Sequence, residues 1–256
     1  MKGVSKGIIV PWSSCGWVKN PAGRNPSEQS DGVYFILSMT KIVFEYNPAK
    51  EFDNFRNTSK SVNHRKPTER YLFYLKNYGK LDRPKVIRFV NDYISNNKID
   101  IKAVLKKIEK RWDKVEKYFF QRADKIFRNN LPEDKIFAYL TIDNRCSYSF
   151  GKKYFFIHLN INQTNRTIMH ELLHWYFWHN GGKKIEKVYG KKIFNDIKES
   201  LTVLLNIEFQ DILKGVKDLG YPQHQKLRKL IEKKYKQSGN IYETTDYCLK
   251  ILQKRS

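Results

Sequence analysis

The chain has 256 residues, of which 40% are hydrophobic, so it can bury a sizeable core and is not intrinsically disordered. No stretch approaches 18 consecutive apolar residues, and the short apolar run before Pro11 cannot form a signal-peptide core. We therefore expect no membrane span and a cytoplasmic location, which three widely spaced cysteines without a CxxC pair also favour. The formal net charge of +23 favours an anionic partner such as nucleic acid, although lysines dispersed along helix faces give the same charge without a partner.

Three regions are predicted along the chain. Residues 1–38 are rich in Gly, Pro and Ser and predict an irregular segment, and the composition shift after it makes Met39 a candidate initiator. Residues 39–130 are predicted as a mainly helical region with an initial strand. Residues 131–256 begin with strands and continue into helices, and together with 39–130 they can form one compact domain.

The elements follow from apolar spacing. Residues 48–66 are predicted as a polar, basic connection. Runs rich in aromatic and β-branched residues predict strands at 33–37, 41–46, 135–142 and 154–161. Apolar residues three or four apart predict helices at about 67–78, 84–96, 101–129, 164–180, 191–213, 223–237 and 243–254.

The helix that starts at Thr164 or Asn165 and ends at Gly181 contains an HExxH pattern, His170-Glu171-Leu172-Leu173-His174. Positions i and i+4 share one helix face, so the two imidazoles can bind one zinc ion. Glu171 stands beside the first of them, within reach of a metal-bound water, where it can act as general base. An amphipathic helix with two incidental histidines is the alternative, which the buried, apolar setting disfavours because unpaired polar groups are costly there.

A catalytic zinc usually has three protein ligands and a water, so a third ligand is required. The metzincin pattern fails, because it needs glycine and histidine where this chain has Phe177 and Asn180, and His179 points to the opposite side of the helix. Glu199, on the next predicted helix, stands apart from the main apolar stripe and is the preferred candidate. Glu208, within that stripe, is the competitor.

Residues 136–224 resemble the core of a zincin metallopeptidase of the gluzincin type, the thermolysin-like class that combines HExxH with a glutamate on the following helix. This resemblance implies a Zn²⁺ ion bound by His170, His174 and Glu199. It also implies that Glu171 is the catalytic base.

We therefore expect an α+β fold. The helical N-terminal half, predicted from apolar spacing alone, packs on a zincin-like core with a small, mostly antiparallel sheet and an HExxH active-site helix, as the resemblance implies for that core. The resemblance also implies that residues 154–161 form an edge strand that pairs with the substrate backbone. The chain departs from the family at Val203, where gluzincins often carry an acidic residue that orients a ligand histidine. That support must come from elsewhere, such as Asn206 or a backbone carbonyl.

Tyr221 and His224, in Gly220-Tyr-Pro-Gln-His at a helix entrance, are candidate catalytic donors to the oxyanion of a tetrahedral intermediate. A structural Tyr-Pro turn is the alternative.

The leading functional hypothesis is a cytoplasmic, zinc-dependent endo- or aminopeptidase that acts on a peptide or protein substrate. The alternative is a basic nucleic-acid-associated protein with a structural or regulatory zinc site, which predicts strongly salt-dependent binding. A degenerate zincin that binds metal without catalysis is a third option, which the intact Glu171 disfavours.

Overall fold

The computed structural model describes residues 40–59 and 67–254 and shows a mixed α/β architecture that is mostly helical. The predicted irregular segment 1–38, its strand at 33–37 and Met39 lie outside the described residues. The strands are β1 (Lys41–Glu45), β2 (Lys135–Thr141), β3 (Tyr148–Ser149) and β4 (Tyr154–His158). The helices are α1 (Pro48–Ser59), α2 (Glu69–Tyr78), α3 (Arg83–Asn96), α4 (Ile101–Asp113), α5 (Glu116–Phe127), α6 (Thr164–Phe177), α7 (Lys183–Leu201), α8 (Leu204–Glu208), α9 (Gln210–Leu213), α10 (Gln225–Ser238) and α11 (Ile241–Gln253).

The four strands form one sheet in the order β1-β2-β4-β3, which is mostly parallel. Ile42 of β1 lies opposite Ile136 of β2, and Leu140 of β2 lies opposite Ile157 of β4, both in parallel pairs. The prediction of a mostly antiparallel sheet was therefore wrong. Helices α1–α5 form a long crossover that returns the chain to the same end of the sheet, which allows a parallel pair.

The expectation that residues 154–161 form an edge strand was also wrong. β4 lies between β2 and β3, and the backbone N–H of Phe156 donates to the Ser147 carbonyl at 2.9 Å, so β3 covers this side of β4. The chain reverses after β2 and again at residues 150–153, which puts the short β3 at the edge and leaves β4 inside.

Of the polar connection predicted over residues 48–66, the part at 48–59 forms helix α1, and residues 60–66 lie outside the described residues. Pro48 begins the helix, where its fixed φ suits the first turn, and Phe55 is fully buried. Much of the inner face is polar rather than apolar: Asn54 donates from Nδ2 to Thr141 Oγ1 at 2.9 Å. A helix that packs through buried polar side chains has no apolar stripe, so its sequence looks like a loop.

Glu51, on the same face of α1, provides a test of this packing. It is buried and accepts a hydrogen bond from Thr141 Oγ1 at 2.6 Å, and burial together with the nearby Asp143 charge raises the pKa of Glu51 to about 7. Because the folded-state pKa is raised, the stability that Glu51 contributes is fully present below pH 4.5 and is lost as the pH rises through about 7. The loss is at most about 3 kcal/mol.

We therefore expect the free energy of unfolding of Glu51→Gln, relative to that of the wild type, to be higher at pH 8 than at pH 5. Urea unfolding at the two pH values measures this change. Glu109→Gln, at an exposed position on α4, is the control and keeps the same difference from the wild type at both pH values. A Glu51→Gln difference that does not change with pH would contradict a buried, protonated carboxyl at this position.

The helix predicted over 101–129 is interrupted between Asp113 and Glu116. Val115 has φ −124° and ψ −16°, and its N–H closes a tight turn on the Trp112 carbonyl at 2.8 Å. The interruption redirects α5 so that Phe127 stacks on Tyr176 of α6 at 5.2 Å between ring centroids. A break of two residues leaves the apolar spacing nearly intact, so the sequence predicts one long helix.

The helix predicted over 191–213 is three helices, α7, α8 and α9. α7 begins earlier, at Lys183, has a kink at Gly190 (φ +82°), and ends at Leu201. At this break Thr202 Oγ1 lies 2.8 Å from the Glu199 carbonyl oxygen and 2.9 Å from Asp218 Oδ1. The polar side chain thus ends the helix and ties it to the loop that follows α9.

The remaining predicted helices are confirmed to within a few residues, including α6, which is followed by a π-helical turn, Trp178–Gly182, that breaks at Gly181 (φ +114°). α6 lies at the centre of the main core, where Trp175, Tyr176 and Phe177 are fully buried. This core includes side chains of β1, α4 and α5 as well as the C-terminal helices. Within the described part of the chain, no helix is both long and apolar enough to cross a membrane.

Candidate metal centre

Helices α6 and α7 bring the predicted metal ligands together. His170 and His174 lie one turn apart on α6, with ring centroids 4.6 Å apart. Glu199 enters from the last turn of α7, where its Oε2 atom lies 3.6 Å from His170 Nε2 and 3.5 Å from His174 Nε2. These distances are longer than good hydrogen bonds.

The spacing fits a tetrahedral zinc site. Ligand atoms at zinc bond lengths of 2.0–2.1 Å stand about 3.4 Å apart in a tetrahedron. The ligand atoms of His170, His174 and Glu199 all lie within 4.8 Å of one another, and no other such group occurs in residues 40–59 and 67–254. Glu199 is only 4% exposed, and its Oε2 has no hydrogen-bond partner among the described residues. A buried carboxylate oxygen that faces two imidazole nitrogens without a hydrogen bond is a position that a metal ion would complete.

Lys198 fixes the other oxygen of Glu199. Its Nζ lies 2.6 Å from Glu199 Oε1 and also donates to Tyr148 Oη at 2.6 Å, and the side chain is only 1% exposed. Burial raises the pKa of Glu199, but the Lys198 charge outweighs burial and holds the pKa well below its usual value. Glu199 is therefore ionised, with one oxygen engaged by Lys198 and the other directed to the histidines.

Asp218 orients His170 from the other side. Its Oδ2 lies 2.7 Å from His170 Nδ1, while Arg228 forms a 3.0 Å ion pair with Oδ1. Asn206 exchanges two 2.8 Å hydrogen bonds with the backbone of Asp218 and so fixes the loop. Support for a candidate ligand histidine was expected from Asn206 or a backbone carbonyl. Asp218 contacts His170 instead, and Asn206 fixes Asp218.

The two histidines have opposite electrostatic environments. Burial lowers the pKa of His170, but Asp218 more than offsets this and raises the pKa to about 10. Burial and the nearby Lys198 charge lower the pKa of His174 to about 3, so that imidazole is neutral. With Nδ1 of His170 bonded to Asp218, its Nε2 faces the centre.

Glu171 follows His170, one of the three candidate ligands, directly in the sequence of α6. It is buried, and its Oε2 has no hydrogen-bond partner among the described residues. Burial raises the pKa of Glu171 to about 7, so its carboxylate holds a proton more firmly than an exposed one. A carboxyl group with this pKa can both accept and return a proton near neutral pH.

His170 and Glu171 open into a cleft of about 290 Å³. Three segments form its walls: the connection between β2 and β3, the first half of α6 and the loop after α9. The lining residues are Asn144, Arg145, Cys146, Arg166, Thr167, His170, Glu171, Asp218, Leu219, Gly220 and Tyr221.

The two candidate oxyanion donors are placed differently. Tyr221 lines the cleft, and burial raises the pKa of its phenol, so the phenol keeps its proton. His224 is buried outside the lining of the cleft, with its Nε2 3.2 Å from Asp196 Oδ1 and its ring edge-on to Tyr221. His224 therefore contacts Tyr221 and does not reach the cleft itself.

Glu208, the alternative third ligand, lies on α8, where Arg122 donates to its backbone carbonyl. It does not join the two histidines. Lys198 and Asp218 were not predicted from the sequence, because nothing local marks either residue: one lies among the many lysines, and the other lies in a loop 48 residues from the histidine it contacts.

Comparison of the chain with protein-family models, with curated proteins and with solved structures gives no match.

Proposed function

We propose that this protein is a zinc-dependent metallopeptidase that hydrolyses peptide bonds in the cleft beside α6. The observation that carries the proposal is the convergence of His170 Nε2, His174 Nε2 and Glu199 Oε2, with Glu171 adjacent on the wall of the cleft. Three protein ligands that leave a position toward an open cleft are typical of catalytic rather than structural zinc.

Each residue has a role that its contacts support. A bound Zn²⁺ ion would supply Lewis acidity and lower the pKa of a water molecule. Glu171 would take a proton from the attacking water and return it to the leaving amine. Tyr221 would donate a hydrogen bond to the negative charge that develops on the scissile carbonyl oxygen.

The test is cleavage of a peptide library prepared from a whole proteome, with the products identified by mass spectrometry. We expect the zinc-loaded protein to cleave peptides, and expect cleavage to stop after chelation and to return when zinc is restored. A protein that holds zinc but cleaves no peptide in the library would overturn the peptidase assignment. The nucleic-acid alternative stays a prediction, since it depends on net charge and no contact described above favours it.

Asp218→Asn tests the support of His170. We expect it to weaken zinc affinity by about 10–100-fold, because the substitution removes the charge that orients the imidazole and raises its basicity. The affinity is measured by competition with a chromophoric chelator. Asp196→Asn is the matched control, since Asp196 contacts His224 rather than a proposed ligand, and it keeps wild-type affinity. Unchanged affinity in Asp218→Asn would contradict this role.

A further inference from the structure

The walls of the cleft carry more accessible positive than negative charge. Its two acidic side chains, Glu171 and Asp218, are both buried, and Asp218 is already ion-paired with Arg228. Its two arginines, Arg145 and Arg166, are only half-buried. A ligand that enters the cleft therefore meets guanidinium groups before it meets carboxylates, which favours an anion.

Arg166 is positioned to contact such a ligand. It lies on α6 four residues before His170, so both side chains project from the same face of the helix. Within the part of the chain that the structure describes, no side chain or backbone group pairs with its guanidinium. The planar guanidinium binds a carboxylate through two parallel hydrogen bonds, which gives a stronger contact than a single neutral hydrogen bond.

Arg145 comes from a second wall of the cleft. It lies in the connection between β2 and β3, where its carbonyl accepts a 2.9 Å hydrogen bond from Asn54 Nδ2. The backbone that carries Arg145 is thus fixed by α1, and Arg145 lines the same cleft as Tyr221, the proposed oxyanion donor.

We propose that the cleft selects peptides that carry a carboxylate one or two residues from the scissile bond, and that Arg166, together with Arg145, binds this carboxylate. The inference rests on the proposed peptidase function. Four residues of helix span about 6 Å. An extended peptide covers the same length in about two residues. The carboxylate is either the C-terminus of a short substrate or the side chain of Asp or Glu, since both present the same group.

Three peptide hydroxamates of equal length distinguish these sources, because each binds zinc directly and needs no knowledge of the natural substrate. The first ends in a free carboxylate, the second in a carboxamide, and the third in a carboxamide with Glu beside the hydroxamate. Binding to the zinc-loaded full chain is measured by calorimetry. We expect at least one carboxylate probe to bind about 10-fold more tightly than the neutral probe.

We expect Arg166→Gln to remove this preference and to leave the affinity for the neutral probe unchanged. Arg88→Gln, at an exposed position on α3, is the matched control and keeps the preference. Equal binding of all three probes to the wild type overturns the inference, as does a preference that survives in Arg166→Gln. If the zinc-loaded protein binds no hydroxamate, the proposed function itself fails and the inference fails with it.

Discussion

Glu171→Gln is expected to lower kcat by about 10³-fold, within the range that a general acid–base contributes, while the protein still binds zinc. Gln has nearly the same shape as Glu but cannot take up the proton of the attacking water. The ligand atoms of His170, His174 and Glu199 are unchanged by the substitution. Rates are measured on a peptide that the wild type cleaves, and zinc content is determined on the same samples.

Glu109→Gln serves as the control, since it removes an exposed carboxylate from α4, and it keeps the wild-type rate. A zinc-loaded Glu171→Gln protein that cleaves peptides as fast as the wild type would exclude Glu171 as the base. Loss of zinc together with activity would instead mean that Glu171 holds the centre together.

Lys198→Met is expected to destabilise the metal-free protein by about 3–5 kcal/mol, because it removes the positive charge closest to the buried Glu199 carboxylate. Met has a similar length and no charge, so the change is mainly electrostatic. A zinc ion would restore a positive charge beside Glu199, so the stabilisation by zinc should be larger in the variant than in the wild type. Both quantities come from urea unfolding with and without zinc.

The double variant Lys198→Met/Glu199→Gln separates the two roles of the ion pair. Removal of both charges should recover part of the stability lost in Lys198→Met, because no buried charge is left unpaired. The zinc affinity of the double variant should be lower than that of the wild type, since a proposed ligand carboxylate is missing. Two results would show that Lys198 does not compensate the charge of Glu199. One is a metal-free Lys198→Met protein with the same free energy of unfolding as the wild type, and the other is a stabilisation by zinc no larger than in the wild type.

The parts of the centre that depend on one helix were predictable. His170 and His174 share a face because of the period of the α-helix, and the apolar residues around them indicated burial before the fold was known. Glu199 was predicted from its position relative to the apolar stripe of the next helix, and it lies beside both histidines.

The parts that depend on distant contacts were not predictable. Asp218 reaches His170 only because Thr202 and Asn206 hold a loop against the end of α7, and no local pattern encodes that approach. Lys198 is buried although its neighbours in sequence include many exposed lysines. The parallel orientation of the strands was not predicted for a similar reason. The pairing of β1 with β2 depends on the whole helical segment between them.

The zinc content of three proteins tests the metal centre most directly: the wild type, His174→Gln, and His179→Gln as a control whose histidine faces Glu133 instead. Each protein is saturated with zinc, desalted and measured by elemental analysis. We expect one zinc ion per chain in the wild type and in His179→Gln, and none retained by His174→Gln. A wild type that retains no zinc, or a His174→Gln protein that retains a full equivalent, would contradict a metal bound by His170, His174 and Glu199.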